Sequence, residues 1–380
     1  MKEVLLNHKG FDKIKNHLVW IYNKEIEKLQ GDIKNGEICR LTYKNNTAAI
    51  AFVNPSSKIT ARVLSFKDER IDRDFIKRRI ESAIKRRSHI KNTNSLRLFH
   101  SDADGLSGLV VDRYSDNLIV SFDSAGVDRL KNEIIETLVE LIKPKGIYKK
   151  DNPIRKKEGL TIESQTVYGK IDNEFIVEEN GRRFTTNLKQ SQKSGFFLDQ
   201  RDNRLRVSHY KAERVLDLFA HSGGFGIYLN PEFAKFVEIS ADACSKIETN
   251  CSLNGIKNYK IINGDVFDFL KNETETYDMI IIDPPAFAKN KHAVKGAFKG
   301  LKYLLTNSLN LLEENGHLAV FSCSHSIGFK QLLELSLSSS IAAGCKLEVV
   351  ELLKQASDHP YMLNIPTSLY LTGLLLKKIT

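Results

Sequence analysis

Beyond about residue 175 the chain repeats one pattern five times: a short apolar, β-branched run, a polar turn, then a helical stretch. The segments are RVLDLFAHSGGFGIYL, FAKFVEISADACSKIETNCSLNG, YKIINGDVFDFL, YDMIIIDPPAFA and GHLAVFSCSHS. Strands alternating with helices imply βαβ units and a parallel, doubly wound sheet, so this half is α/β. Sheets of that kind bind ligands in the crevice beyond the carboxyl ends of their strands. The residues at those ends therefore carry the functional reading.

The first strand, Val215 to Leu218, runs through Phe219 into the turn Ser222-Gly223-Gly224 and then Phe225. Glycine there lets a ligand approach the backbone closely. Asp217 is an acid inside an apolar strand, placed to hold the turn's N–H groups or a ligand's cationic amine. About twenty residues on, Glu238 ends the second strand, where doubly wound folds bind a ribose hydroxyl pair. Asp265 follows the third strand and can accept from an adenine amino group, with Val266 and Phe267 beside it. In isolation Glu238 reads as a surface glutamate and a Gly-Gly turn is common. Together, three acids after three successive strands suit a nucleoside bearing a positive sulfonium, S-adenosylmethionine. A pyrophosphate would need N–H donors and cations instead.

The fourth strand stops at Asp283-Pro284-Pro285, whose prolines fix the backbone and leave carbonyls free to accept. A rigid loop alone does not explain an acid facing the crevice. The fifth strand ends in Ser322-Cys323-Ser324-His325-Ser326. A structural cysteine prefers apolar neighbours, whereas a thiol among small polar groups at a strand end suits a nucleophile. Ser322, Ser324 and His325 offer donors to that thiol, and His325 is a candidate proton acceptor. His359, in DHP, reads as a loop residue near the site. Cys39, Cys244, Cys251 and Cys345 read as small packing residues.

The first half is different in kind. Residues 1–67 form a β-rich module, with strands around Cys39 to Tyr43 and Ala48 to Phe52 joined at KNN, and another over 57–66 with Ile59, Ala61 and Val63 on one face. A helix over 72–88, capped by Asp72 or Asp74, has the apolar stripe Ile76, Ile80, Ala83 and Ile84. Its other faces carry Lys77, Arg78, Arg79, Lys85, Arg86 and Arg87, a candidate RNA-contacting surface, although a charge run is commonly just solvated. A second α+β unit continues to 175, with an amphipathic helix over 129–143 and a polar loop over 146–160.

At 380 residues, two or three domains are expected, and 41% apolar with 27% charged residues is globular. The net charge of +10 favours a polyanionic partner. No apolar run reaches membrane-spanning length and no secretory leader is evident, so a cytoplasmic protein is expected. Five cysteines without a C-x-x-C pair and ten dispersed histidines predict neither disulfides nor a metal site.

The segments QKSGFFLDQRDNR (192–204), LDLFAHSGGF (216–225), DPPAFAK (283–289), CSHS (323–326) and ASDHP (356–360) together resemble the RlmI-type rRNA methyltransferases, over nearly the whole chain. The resemblance implies a Rossmann-like class I methyltransferase domain (176–380) with a mostly parallel seven-stranded sheet in the order 3-2-1-4-5-7-6. Before it would stand a PUA-like RNA-binding domain (1–67) and a central α+β domain (68–175). It implies an enzyme that makes 5-methylcytosine in large-subunit rRNA or its precursor. It also implies that Phe196, Gln200 and Arg201 lie near the cofactor. The family often has two cysteines in the T-C-S-C-S-H stretch, and only the second is present here. Cys323 is therefore the expected nucleophile, adding at cytosine C6, with Asp283 supporting the base. Family members are often dimers, and the pattern fixes no interface.

Two other readings compete. An acid-Pro-Pro-aromatic tetrapeptide serves amino-group methylation without a cysteine, but Ala286 here separates the prolines from Phe287. The basic N-terminal half could instead belong to a non-catalytic ribosome-assembly factor, against which stand the intact acids, glycines and Cys323.

Overall fold

The computed structural model describes residues 1–187, 196–286, 294–324 and 326–379. The chain divides into two compact units. One comprises Met1–Phe175, Asn187–Gly195 and Asp358–Ser368; the other comprises Ile176–Thr186, Phe196–Ser357 and Leu369–Thr380.

The first unit holds two sheets. Six strands, in the spatial order Trp20–Ile21, Ala61–Ser65, Asn46–Val53, Glu37–Tyr43, Glu3–Leu6 and Ile26–Leu29, form the first. The expected hairpin is there, and Lys44 and Asn45 both take positive φ (48° and 63°), the geometry of a type I′ turn. The strand expected over 57–66 is only Ala61–Ser65. Ahead of it, a turn closes where Asn54 N–H donates to the Thr60 carbonyl (2.8 Å). A helix at His8–Lys15, capped by Asn7, was not evident in the sequence.

The second sheet orders Gln165–Gly169, Gly146–Lys149, Asn117–Phe122, Leu109–Tyr114 and Ser95–His100. The helices Arg73–Arg86 and Lys131–Ile142 pack their apolar sides into its core through Ile76, Ile80, Ala83, Ile134 and Leu138. Asp72 caps the first of them, accepting from Phe75 N–H (3.0 Å). The stretch read as a polar loop, 146–160, contains a short 3-10 helix at Pro153–Glu158 with Arg155 and Glu158 buried. Glu158 accepts from Arg62 (2.7 Å), Ser57 (2.6 Å) and Asn54 (3.1 Å), tying the two sheets into one unit. Asp358–Ser368 groups here as well, because the Asp358 carbonyl accepts from Arg87 (2.8 Å) and its carboxylate from Arg97 N–H (2.8 Å).

The second unit is built on a seven-stranded sheet: β1 (Arg214–Leu218), β2 (Phe233–Glu238), β3 (Tyr259–Asn263), β4 (Tyr277–Ile282), β5 (Leu312–Ser322), β6 (Lys346–Lys354) and β7 (Thr372–Ile379). The order is 3-2-1-4-5-7-6, as the resemblance implied, and β7 runs antiparallel to both β5 and β6. Alternate residues feed opposite faces. Leu216, Leu218, Ile280, Ile282, Leu318 and Val320 pack with Leu301, Leu305 and Leu309 of the helix Val294–Leu311. Val215, Met279, Ile281, Ala319 and Phe321 pack with Val207 and Phe225 on the other side. The central strands are thus buried on both faces, and their polar residues are confined to the ends.

Candidate active site

After β1 the chain must reverse from a buried strand into the helix Gly224–Leu229 within a few residues. It does so with three left-handed residues at alternate positions: Phe219 (φ 61°), His221 (φ 50°) and Gly223 (φ 75°). Two of them carry side chains, a strained arrangement of the kind that collects at functional turns. Two acids hold it. Asp217, 2% exposed, accepts the Gly226 N–H at 3.0 Å. Glu238, at the end of β2, accepts the His221 N–H (2.9 Å) through one oxygen and the Ser240 N–H (2.9 Å) through the other. The Ser222 carbonyl takes the Asn250 side-chain N–H (2.9 Å) from the helix Ala241–Leu253.

Gly226, which sequence reasoning passed over, is required sterically. A Cβ there would lie 2.5 Å from the Phe236 ring. Gly224 faces the Arg204 side chain, where a Cβ would come within 3.1 Å. Arg204 is itself buried, donating to Glu179 (2.8 and 2.9 Å) and lying 4.4 Å over the Phe196 ring. Phe196 also stacks on Phe184 at 4.9 Å, so it sits within the packing behind the turn. The residue next to it, Phe197, meets His221 edge-on at 4.7 Å and was also missed. Phe225 packs on Phe321 (5.1 Å) on the far side of the sheet core.

Asp265 lies beyond β3 and caps the helix Val266–Asn272, accepting from Phe267 N–H (2.7 Å) and Asp268 N–H (3.3 Å). Val266 is buried in the core, and Phe267 stacks on Tyr303 at 5.7 Å. Each of the three acids is therefore partly committed to backbone N–H groups of its own turn.

Asp283 leaves β4 beside Asp217, since Leu218 and Ile282 are register partners. Burial, then the neighbouring Asp283 and Glu238 charges, push the Asp217 carboxyl up to about 8, against the Gly226 hydrogen bond. Asp283 accepts from the Gln200 side-chain N–H at 3.0 Å. Arg201 is buried and paired with Asp202 (2.9 Å).

Cys323 stands one residue past β5, whose Val320 pairs with Ile282. Its Sγ is half-buried, 4.0 Å from the Pro284 carbonyl oxygen. A small recess opens here, lined by Pro284, Pro285, Leu301, Phe321, Cys323 and Ile327 among others. The serines brace the turn: Ser322 Oγ accepts from Ser324 N–H (3.3 Å) and Ser324 Oγ from Ser326 N–H (3.4 Å). His325 and Phe287 lie outside the described residues. The other cysteines differ in setting: burial pushes the Cys39 thiol up to about 11 and that of Cys251 to about 12. His359 is buried in the first unit, against Asp358 (3.1 Å) and His100.

The basic helix needs one correction. Arg87 is 2% exposed, donates to Asp104 (2.7 Å) and the Asp358 carbonyl, and is not available to a nucleic acid. Arg86 also reaches Asp104 (3.1 Å), and half-buried Arg79 lies over Phe75 and donates to the Leu64 carbonyl. Lys77 pairs with Glu140 and exposed Arg78 with Glu69. These last two are surface pairs that a phosphate can displace.

Asp217, buried and holding its proton, lies beside the Asp283 and Glu238 carboxylates, an arrangement that suits a cationic ligand better than a phosphate. The fold and site together define a class I, S-adenosylmethionine-dependent methyltransferase. Residues 164–370 match the S-adenosylmethionine-dependent methyltransferase family and residues 4–66 match the PUA-like domain. The chain belongs to that methyltransferase family, and S-adenosylmethionine is its cofactor.

Its relatives are narrower in name. It is 36% identical to ribosomal RNA large subunit methyltransferase I of Aeromonas salmonicida, over 94% of each chain. It is 34% identical to the protein of that name from Vibrio cholerae, over 97% of this chain and 98% of that one. A methyltransferase structure from Streptococcus mutans superposes with a TM-score of 0.84 over 99% of this chain and all of that one, at 21% identity. Another, crystallised with SAH, gives 0.86 at 22% identity. At those identities the match shows the fold. Among the described residues no helix is long and apolar enough to cross a membrane.

Proposed function

We propose that the protein methylates C5 of a cytosine in large-subunit ribosomal RNA or its precursor, with Cys323 adding transiently at C6. The observation that carries this reading is the seat of Cys323. It is a half-buried thiol at the end of β5, beside the end of β4 that bears Asp283, and it lines a recess with Pro284. The names of the relatives, the PUA-like domain and the net charge of +10 support an rRNA substrate. Such a substrate puts the protein in the cytoplasm.

Cytosine C5 is a poor nucleophile. Attack of the Cys323 thiolate on C6 forms an S–C6 bond and gives the ring enamine character at C5. Asp283 supports the base at N3 or the amino group. The cofactor, when bound, would supply an electrophilic sulfonium methyl to C5, the S–CH3 bond breaking to leave S-adenosylhomocysteine. A base then removes the C5 proton, the C5–C6 double bond re-forms, and the S–C6 bond breaks to return the thiolate. In this reading Asp217 faces the cationic end of the cofactor, and Glu238 takes the ribose hydroxyls. Asp265 takes the adenine amino group, with Val266 and Phe267 packing on the base. Phe219, Ser222, Gly223, Gly224 and Phe225 shape the cradle, with Phe196, Gln200 and Arg201 behind it. Lys77 and Arg78 contact RNA phosphates.

The test is methylation of unmodified large-subunit rRNA by wild type and Cys323→Ala with a labelled methyl donor, followed by nucleoside analysis. Label in 5-methylcytidine that disappears in the variant is the expected result. Label on an amino nitrogen, or undiminished label in the variant, refutes the thiolate mechanism and favours direct amine methylation.

A further inference from the structure

The Asp283 carboxylate accepts from a side chain, Gln200 Nε2, at 3.0 Å. Gln200 is 3% exposed. A buried amide must satisfy both of its ends. The other end, Oε1, accepts from Asn203 Nδ2 at 2.5 Å, and Asn203 is 1% exposed. An amide can turn over by half a rotation with little steric change. What stops Gln200 from turning its oxygen toward the Asp283 carboxylate is the Asn203 N–H, which commits Oε1 to accepting.

We infer that Asn203 is a positioning residue for Asp283, acting through Gln200. The inference rests on the role given to Asp283 above. The surrounding contacts support it, because the segment that carries both amides is fixed on either side. The Asp199 carbonyl accepts from Ala356 N–H (2.7 Å) and its carboxylate from Tyr370 (2.8 Å). Asp202 accepts from Ser357 N–H (2.9 Å). Gln200 closes the short 3-10 helix Leu198–Gln200, and Asn203 lies one turn on, in the helix Arg201–Val207. Packing alone would be served by leucine at both positions, and two buried amides in series are an expensive substitute.

The donor does two things for Asp283. It fixes the plane of the carboxylate, and it favours the ionised form. That second effect matters because Asp217, a like charge, lies beside Asp283, with Glu238 beyond it.

The test is a double-mutant cycle of Asn203→Asp and Gln200→Met, read as kcat and KM for rRNA across pH. An aspartate at 203 cannot donate and turns Gln200 over. The expected outcome is a fall in kcat of about tenfold or more, the scale of losing a donor to a charged group in a site. The acid limb of the kcat profile moves up. KM for RNA is little changed, and the double variant is no worse than Gln200→Met alone. Should Asn203→Asp not fold, Asn203→Ser, too short to reach Gln200, replaces it in the cycle. An unshifted pH profile, or effects that simply add, overturns the inference. A wild type that leaves cytosine unlabelled refutes the cytosine reading itself, whereas a labelled wild type with unshifted variants refutes only the role of Asn203.

Discussion

Replacing Asp217 by Asn should stabilise the ligand-free methyltransferase unit at alkaline pH while weakening its hold on the cofactor. Asparagine keeps an oxygen for the Gly226 N–H, so the turn loses no hydrogen bond. What changes is the proton. Asp217 sits at about 8 in the folded protein, against an ordinary 3.8, chiefly because it is buried and then because Asp283 and Glu238 face it. A folded-state value above the unfolded one gives stability that is complete below the unfolded value and drains away as pH rises to the folded one. Each pH unit in that window is worth about 1.4 kcal/mol. From pH 5 to pH 8 the wild type should lose about 4 kcal/mol through this group alone. Asparagine loses none, and titrations remote from position 217 cancel in the difference between the two proteins. Denaturant unfolding at pH 5, 6.5 and 8 measures it. The difference should grow by about 4 kcal/mol in favour of Asp217→Asn between pH 5 and pH 8. Affinity for S-adenosylmethionine at pH 8 should fall about tenfold or more, since the cation loses a buried counter-charge. A stability difference that stays flat across this range would refute the charge argument for the site.

Gly226→Ala should cost roughly 1–3 kcal/mol, because the added Cβ meets the Phe236 ring at 2.5 Å, and thermal unfolding with and without S-adenosylhomocysteine should show a reduced ligand shift. Arg87→Met leaves the Asp104 carboxylate buried without its main partner (2.7 Å), so a loss of about 3–5 kcal/mol is expected, seen in denaturant unfolding of the first unit. Lys77→Ala and Arg78→Ala should each leave stability within about 0.5 kcal/mol while flattening the salt dependence of RNA affinity by close to one counterion. Unchanged salt slopes for both would remove the helix Arg73–Arg86 from the RNA-contacting surface.

The doubly wound half was legible because its signals are local. An apolar run interrupted by Ser-Gly-Gly, Asp-Pro-Pro or Ser-Cys-Ser announces both a strand and its end, and five such units imply one sheet. The Asp72 cap and the stripe through Ile76, Ile80 and Ala83 were equally local. Arg87 shows where that reading stopped short. It continues the same stripe at the next helical step, 76, 80, 83 and then 87, so its burial could have been read from angular position rather than charge. Arg155 and Glu158 carry no such cue. They look like any basic-acidic loop until Arg62, Ser57 and Asp128, far away in sequence, supply their partners. The amide pair at Gln200 and Asn203 is hidden for the same reason, because its purpose lies at Asp283.

The acids also explain why the site can be built before any ligand arrives. Asp217, Glu238 and Asp265 each accept a backbone N–H from the turn they follow or face, at 3.0, 2.9 and 2.7 Å. The first two bonds hold the left-handed Phe219 and His221 in a shape that would otherwise relax, so the turn is preorganised and binding need not order it. The cost appears instead as electrostatics: burial first, then repulsion from Asp283 and Glu238, keeps a proton on Asp217. A cation relieves that repulsion, whereas a phosphate would add to it. On the proposed reading of the site, a sulfonium nucleoside is thereby favoured over a nucleotide.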